Sequence, residues 1–136
     1  MKLSLPVLTL YALRIGCVAY LGFLTVLLLT PHPLELLGFR RSPWPLPNDR
    51  GAHFALFVGL AFLVNASRWG IAPGWLLGLL AVYGVGTELL QAFVPPRTVE
   101  WLDVMENLLG ITAGTAIAWA VFRGCRPRKS RPTNSE

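Results

Sequence analysis

Residues 75–93 read WLLGLLAVYGVGTELLQAF, and Pro95 and Pro96 close the run. A helix over those positions spans about 28 Å, close to a bilayer hydrocarbon core of roughly 30 Å. Its one charge is Glu88, and Gly78, Gly84 and Gly86 leave room for a close helix neighbour. A second apolar run covers residues 101–122, opening on Trp101 with Asp103 in the first turn and containing Gly110-Ile-Thr-Ala-Gly114. That small-xxx-small spacing marks tight helix contacts and also arises by chance in glycine-rich spans. Upstream, residues 52–66 form a third apolar stretch, which Asn48 or Asp49 can cap, with Arg50 and His53 in its first turn. The first run covers residues 8–30 and stops at Pro31-His32-Pro33. Between them lies a proline-punctuated connection whose Trp44 suits an interfacial aromatic belt.

The totals agree with lipid rather than a soluble core. Of 136 residues, 54% are hydrophobic and 14% charged, too few polar side chains to cover a soluble domain of this size. The sequence shows neither the alternation of a membrane barrel nor an internal repeat. The net charge is +5, and Arg123, Arg126, Arg128, Lys129 and Arg131 supply five of the twelve basic residues. Basic residues directly after an apolar helix anchor it on anionic lipid, so no nucleic-acid partner is expected. Cys17 and Cys125 have no disulfide or metal-ligand spacing. Arg14 stands where a lipobox before Cys17 needs an aliphatic residue, so the first run reads as an uncleaved span. Residues 15–30 cover about 24 Å, and Arg14 should snorkel to the near interface.

Counting Lys and Arg on alternate sides puts eight with the termini and four, Arg40, Arg41, Arg50 and Arg97, on the other face. The expected fold is therefore all-α: a polytopic bundle of four transmembrane helices with both termini cytoplasmic, multi-pass in a bacterial inner (plasma) membrane. Residues 1–124 form one domain and residues 125–136 a basic, flexible cytoplasmic tail.

Four antiparallel spans bring the start of the second, the end of the third and the start of the fourth to one face. Asp49, Arg50, His53, Glu88, Gln91, Arg97, Glu100, Asp103, Glu106 and Asn107 gather there. Glu88 sits about 7 Å below the helix end at Phe93, where a carboxylate costs a few kcal/mol unless paired, hydrogen-bonded or wetted, so it must face the bundle interior. Gln91 shares its face, and Asp49 with His53 and Asp103 with Asn107 repeat an i, i+4 geometry. Arg97, on a stiff turn after two prolines, is expected to bridge to Glu88, Glu100 or Asp103.

Such residues can simply knit helix ends together. As a site, His53 would transfer protons with Asp49 or Glu88 setting its tautomer, and Arg50 and Arg97 would receive an anionic group. His53, Glu88, Asp103 and Asn107 could in principle supply oxygen and nitrogen ligands, but there is no dense ligand motif, and neither a metal nor any other cofactor is expected.

The motif Asp49-Arg50-Gly51-Ala52-His53-Phe54, and the longer one from Glu88 through Gln91, Arg97, Glu100, Asp103, Glu106 and Asn107 to Gly110, resemble those of the VanZ-like membrane proteins. The resemblance covers residues 49–122. It departs at Arg50, where the family pattern usually has lysine; a planar fork keeps anion pairing and weakens proton carriage. The family's namesake is associated with low-level teicoplanin resistance, and most members have no assigned activity. The anion-suited Arg50 and Arg97 beside a membrane-embedded Glu88 favour a non-enzymatic envelope protein that binds a lipid headgroup, a cell-wall precursor or a glycopeptide-type antibiotic, with Asp49, Arg50, His53, Glu88, Gln91, Arg97, Asp103 and Asn107 as its expected ligand-binding residues. Two alternatives stand beside it. One is a small intramembrane acid/base enzyme using His53, Glu88 and Asp103 on a lipid headgroup, and the other is a structural or partner-binding module with Gly110 and Gly114 as a helix interface.

Overall fold

The computed structural model describes residues 5–31, 51–95 and 100–124, and the described elements are four α-helices. They are α1 (Leu5–Leu29), α2 (Ala52–Ala66), α3 (Pro73–Gln91) and α4 (Trp101–Gly124). The helix positions match the apolar runs to within about three residues. Asn48, Asp49, Arg50, Arg97 and the tail lie outside the described residues.

Each boundary has a local cause. α3 opens with Pro73 in its first turn, where proline's fixed φ suits a helix and its missing N–H is not needed. It closes in tight i→i−3 bonds from Ala92 to Leu89 and from Phe93 to Leu90, just short of Pro95. α2 starts at Gly51, whose φ of 93° is left-handed; the Asn48 and Asp49 caps expected from sequence lie outside the described residues. The Gly51 N–H donates to Glu106 Oε2 on α4, at 2.9 Å, a capping contact from across the bundle. At the other end of α2, the carbonyls of Ser67 and Arg68 accept from the Arg14 guanidinium, at 3.2 and 2.9 Å. A cation at a helix C-terminus is favourable, and Arg14 also stacks over Trp69 at 5.3 Å.

The tightest pair is α2 with α4. A methyl group at Gly110 would come within 2.5 Å of the Phe54 carbonyl oxygen, and one at Gly114 would collide with that of Val58. The Gly110 and Gly114 pattern therefore marks a contact inside this chain, and the interface suggested for an outside partner is already filled. Leu24, Leu28, Phe57, Leu60, Ala61, Leu80 and Ile111 form the core. α1 joins it through Tyr20, whose hydroxyl donates to the Leu56 carbonyl at 3.0 Å, and through Thr25, which bonds Tyr83 at 2.9 Å.

The outward faces are apolar. Phe93, Trp101, Trp75 and Val82 are each more than 70% exposed, a surface that water does not tolerate but lipid does. Among the described residues three helices are long and apolar enough to cross a membrane: Val7–Leu29, Pro73–Gln91 and Trp101–Phe122. α2 differs from the expected full span, since its 15 residues rise about 22 Å. The protein is a membrane protein with an all-α described fold.

Candidate functional site

The N-terminus of α2, the C-terminal half of α3 and the N-terminus of α4 meet at one end of the bundle. α2 contributes His53; α3 contributes Gly84, Thr87, Glu88 and Gln91; α4 contributes Asp103, Glu106 and Asn107, with Glu100 just ahead of it. Glu88, Gln91, Asn107, Thr87 and His53 are all buried, and the Asp103 side chain keeps 24% of its exposure. The inward placement of Glu88 and Gln91 expected from their depth is thus observed.

Asn107 sits at the centre. Its Nδ2 donates to the Gly84 carbonyl at 3.0 Å, and because a carbonyl can only accept, the amide orientation is fixed. Asn107 Oδ1 therefore faces His53 Nδ1, at 3.1 Å, and Nδ1 must carry the proton of that bond. His53 Nε2 then points away from Asn107, and Asp103 Oδ2 lies 3.9 Å from it, beyond hydrogen-bond length. Among the described residues the group that sets the imidazole tautomer is Asn107, and not Glu88 as expected; the other candidate, Asp49, lies outside them.

Glu88 has a second function. The backbone N–H of Glu100 donates to its Oε1 at 3.1 Å, so Glu88 caps the start of α4 much as Glu106 caps α2. Asp103 lies in the first turn of α4, where the helix dipole favours a carboxylate. Thr87 turns its hydroxyl back to the Gly84 carbonyl at 3.1 Å. Gln91 Nε2 is buried and makes no hydrogen bond among the described residues.

His53, Glu88 and Asp103 each offer a donor atom, and the three atoms lie within 4.8 Å of one another. That is well inside the roughly 8 Å beyond which shared proton transfer is hard to sustain. A bridge to Arg97 lies outside the described residues, as do Asp49 and Arg50.

Gly84 and Thr87 were not singled out from sequence as part of the site. The available signal was position: Gly84 precedes Glu88 by one turn and shares its face, so its bare carbonyl is reachable from a neighbouring helix.

The profile of the VanZ/LLP1 family matches residues 17–123. Neither the curated proteins nor the solved structures gave a significant match. The chain belongs to the VanZ/LLP1 family.

Proposed function

We propose that this member of the VanZ/LLP1 family is a multi-pass protein of the bacterial inner membrane that binds an anionic amphiphile at the His53 end of its bundle. α2 serves as the fourth crossing. Its polar ends, held by Glu106 at one side and Arg14 at the other, suit a locally thinned or wetted bilayer. The positive-inside distribution puts both termini in the cytoplasm and the His53 end outside. The ligand class is a charged headgroup on a hydrocarbon tail, whether a lipid, a lipid-linked cell-wall precursor or a glycopeptide-type antibiotic.

The observation that carries this reading is the buried pairing of His53 with Asn107 on Gly84, which no helix end requires. The buried Gln91 amide nitrogen, which has no acceptor among the described residues, adds to the case, because a buried donor without an acceptor is costly. Arg50 and Arg97 adjoin the cluster in sequence and would receive the anionic group.

The test is mass spectrometry of lipids retained by protein purified in mild detergent. Wild type should retain an anionic amphiphile, and His53→Ala should retain at least about tenfold less; equal retention by a folded variant refutes the reading. If the ligand is a cell-wall precursor or a glycopeptide, expression in a susceptible host should lower teicoplanin susceptibility, and no change removes that link.

A second reading, acid/base catalysis on a lipid headgroup, is favoured by the closeness of His53, Glu88 and Asp103. Lipid profiles of strains carrying His53→Ala should then differ from wild type at equal protein level, and identical profiles exclude it.

A further inference from the structure

We infer that His53, Glu88 and Asp103 form a binding site for one first-row divalent cation, with Asn107 holding the imidazole in the ligating tautomer. The inference stands on the donor geometry. Asn107 Oδ1 accepts the hydrogen bond of Nδ1–H, which leaves the ring's other nitrogen, Nε2, directed to the side where Asp103 Oδ2 lies 3.9 Å away. In the neutral imidazole with its proton on Nδ1, Nε2 carries the lone pair and is the nitrogen that can ligate a metal.

Size agrees with an ion. Metal–donor bonds of about 2.0–2.2 Å in tetrahedral geometry put donor atoms roughly 3.4 Å apart. The three donors here lie within 4.8 Å of one another, so closure needs movements of about an ångström. Asp103, partly exposed in the first turn of α4, has the freedom to make them.

The surroundings are those of a metal site. Each of the two buried donors is oriented by a hydrogen bond from outside the trio: His53 by Asn107, and Glu88 by the Glu100 N–H. One imidazole with two carboxylates suits Zn²⁺ or Mn²⁺ better than the all-oxygen shells of Mg²⁺ and Ca²⁺. Three protein ligands also leave a coordination position open, as in sites that bind a further ligand. That position would accept an oxygen of the amphiphile headgroup, and this last step alone rests on the function proposed above. The sequence named these residues among possible ligands but shows no dense ligand motif, because they stand on three helices, at positions 53, 88 and 103.

The competing occupant is a proton on Nε2, giving an imidazolium paired with Asp103. Chelator-stripped full-length protein in lipid-free detergent, titrated separately with Zn²⁺ and Mn²⁺, separates the two. One ion per chain should bind, measured by calorimetry and by elemental analysis of the gel-filtered protein. Asp103→Asn and His53→Ala should each weaken binding at least tenfold, and Asn107→Ala about 10–100-fold. Asp103 is at the partly exposed edge, so its variant decides the matter if a buried replacement fails to fold. No stoichiometric binding by folded wild type, or unchanged affinity in folded Asp103→Asn, overturns the inference. Because no lipid is present, failure here leaves lipid retention untouched, and loss of lipid retention with metal binding intact refutes the amphiphile reading alone.

Discussion

Replacing Gly110 with alanine tests how α2 and α4 hold the site together. The added methyl would sit 2.5 Å from the Phe54 carbonyl oxygen and 3.0 Å from Phe57 Cβ. The first obstacle is backbone and cannot swing away. Restoring an ordinary contact near 3.4 Å parts the helices by about 0.9 Å. Asn107 lies one turn before Gly110, so the same movement stretches the 3.1 Å bond between His53 Nδ1 and Asn107 Oδ1 to about 4 Å and breaks it. Overpacking costs about 1–3 kcal/mol and the lost hydrogen bond about 1 kcal/mol. Alanine's better helix propensity returns about 1 kcal/mol. The net expectation is a destabilisation of about 1–3 kcal/mol, read from equilibrium unfolding in mixed detergent and SDS micelles. Gly114→Ala should behave alike, since it meets the Val58 carbonyl and Ala61. Gly78→Ala and Gly86→Ala, with open space where the methyl would go, serve as controls and should be neutral or stabilising. If all four variants unfold at one midpoint, the account of the α2–α4 contact is wrong.

Three further outcomes follow from single contacts. Glu106→Ala removes the acceptor of the Gly51 N–H and should cost about 1 kcal/mol in the same unfolding assay, while Glu106→Gln, which keeps an acceptor, should cost less; equal losses would show that the cap is not what matters. Arg14→Leu leaves the carbonyls of Ser67 and Arg68 without their donor and should cost about 1 kcal/mol, with Arg14→Lys intermediate because an ammonium lacks the two-pronged geometry; an unchanged midpoint in Arg14→Leu contradicts this. Cys17 is buried, so in a Cys125→Ser background maleimide should modify the folded protein about a hundredfold more slowly than the SDS-unfolded chain, and equal rates measured by mass shift would place Cys17 at the surface.

The helices were legible because their signals are local. Apolar runs of membrane length locate α1, α3 and α4 with no knowledge of the partners, and the prolines at Pro31 and Pro95 mark where α1 and α3 stop. Glu88 could be turned inward on cost alone, and it is fully buried. What escaped the sequence depends on the rotation of one helix against another. The contact of the Gly51 N–H at the start of α2 with Glu106, on a helix distant in sequence, had no local signal. The tautomer of His53 was expected from Asp49 or Glu88, yet among the described residues the Asn107 amide sets it, across the α2–α4 contact that Gly110 and Gly114 allow. A small-xxx-small pattern shows that some helix comes close. It cannot say whether that helix belongs to the same chain.

The acidic residues of the cluster are better explained by the fold than they first look from sequence. Glu88 accepts the Glu100 N–H at the start of α4, Glu106 accepts the Gly51 N–H at the start of α2, and Asp103 occupies the first turn of α4. Each carboxylate stands at a helix N-terminus, where orphan N–H groups and the dipole offset part of the cost of removing it from water. Three acids at one membrane face therefore do not by themselves require a ligand. His53 and Asn107 are different. Their bond joins two side chains, and its other anchor is the Gly84 carbonyl in the body of α3, not an open helix end. Gly84 permits it, because a methyl there would press within 3.3 Å of Asn107 Cβ, Phe57 and Ile111. Burying a histidine and an asparagine to staple helices that the glycine contacts already join would add desolvation for little gain. The direction of His53 Nε2, toward Asp103 Oδ2 at 3.9 Å, is thus the feature that separates a bound cation from a proton shared with Asp103, and the metal titration of Asp103→Asn decides between them.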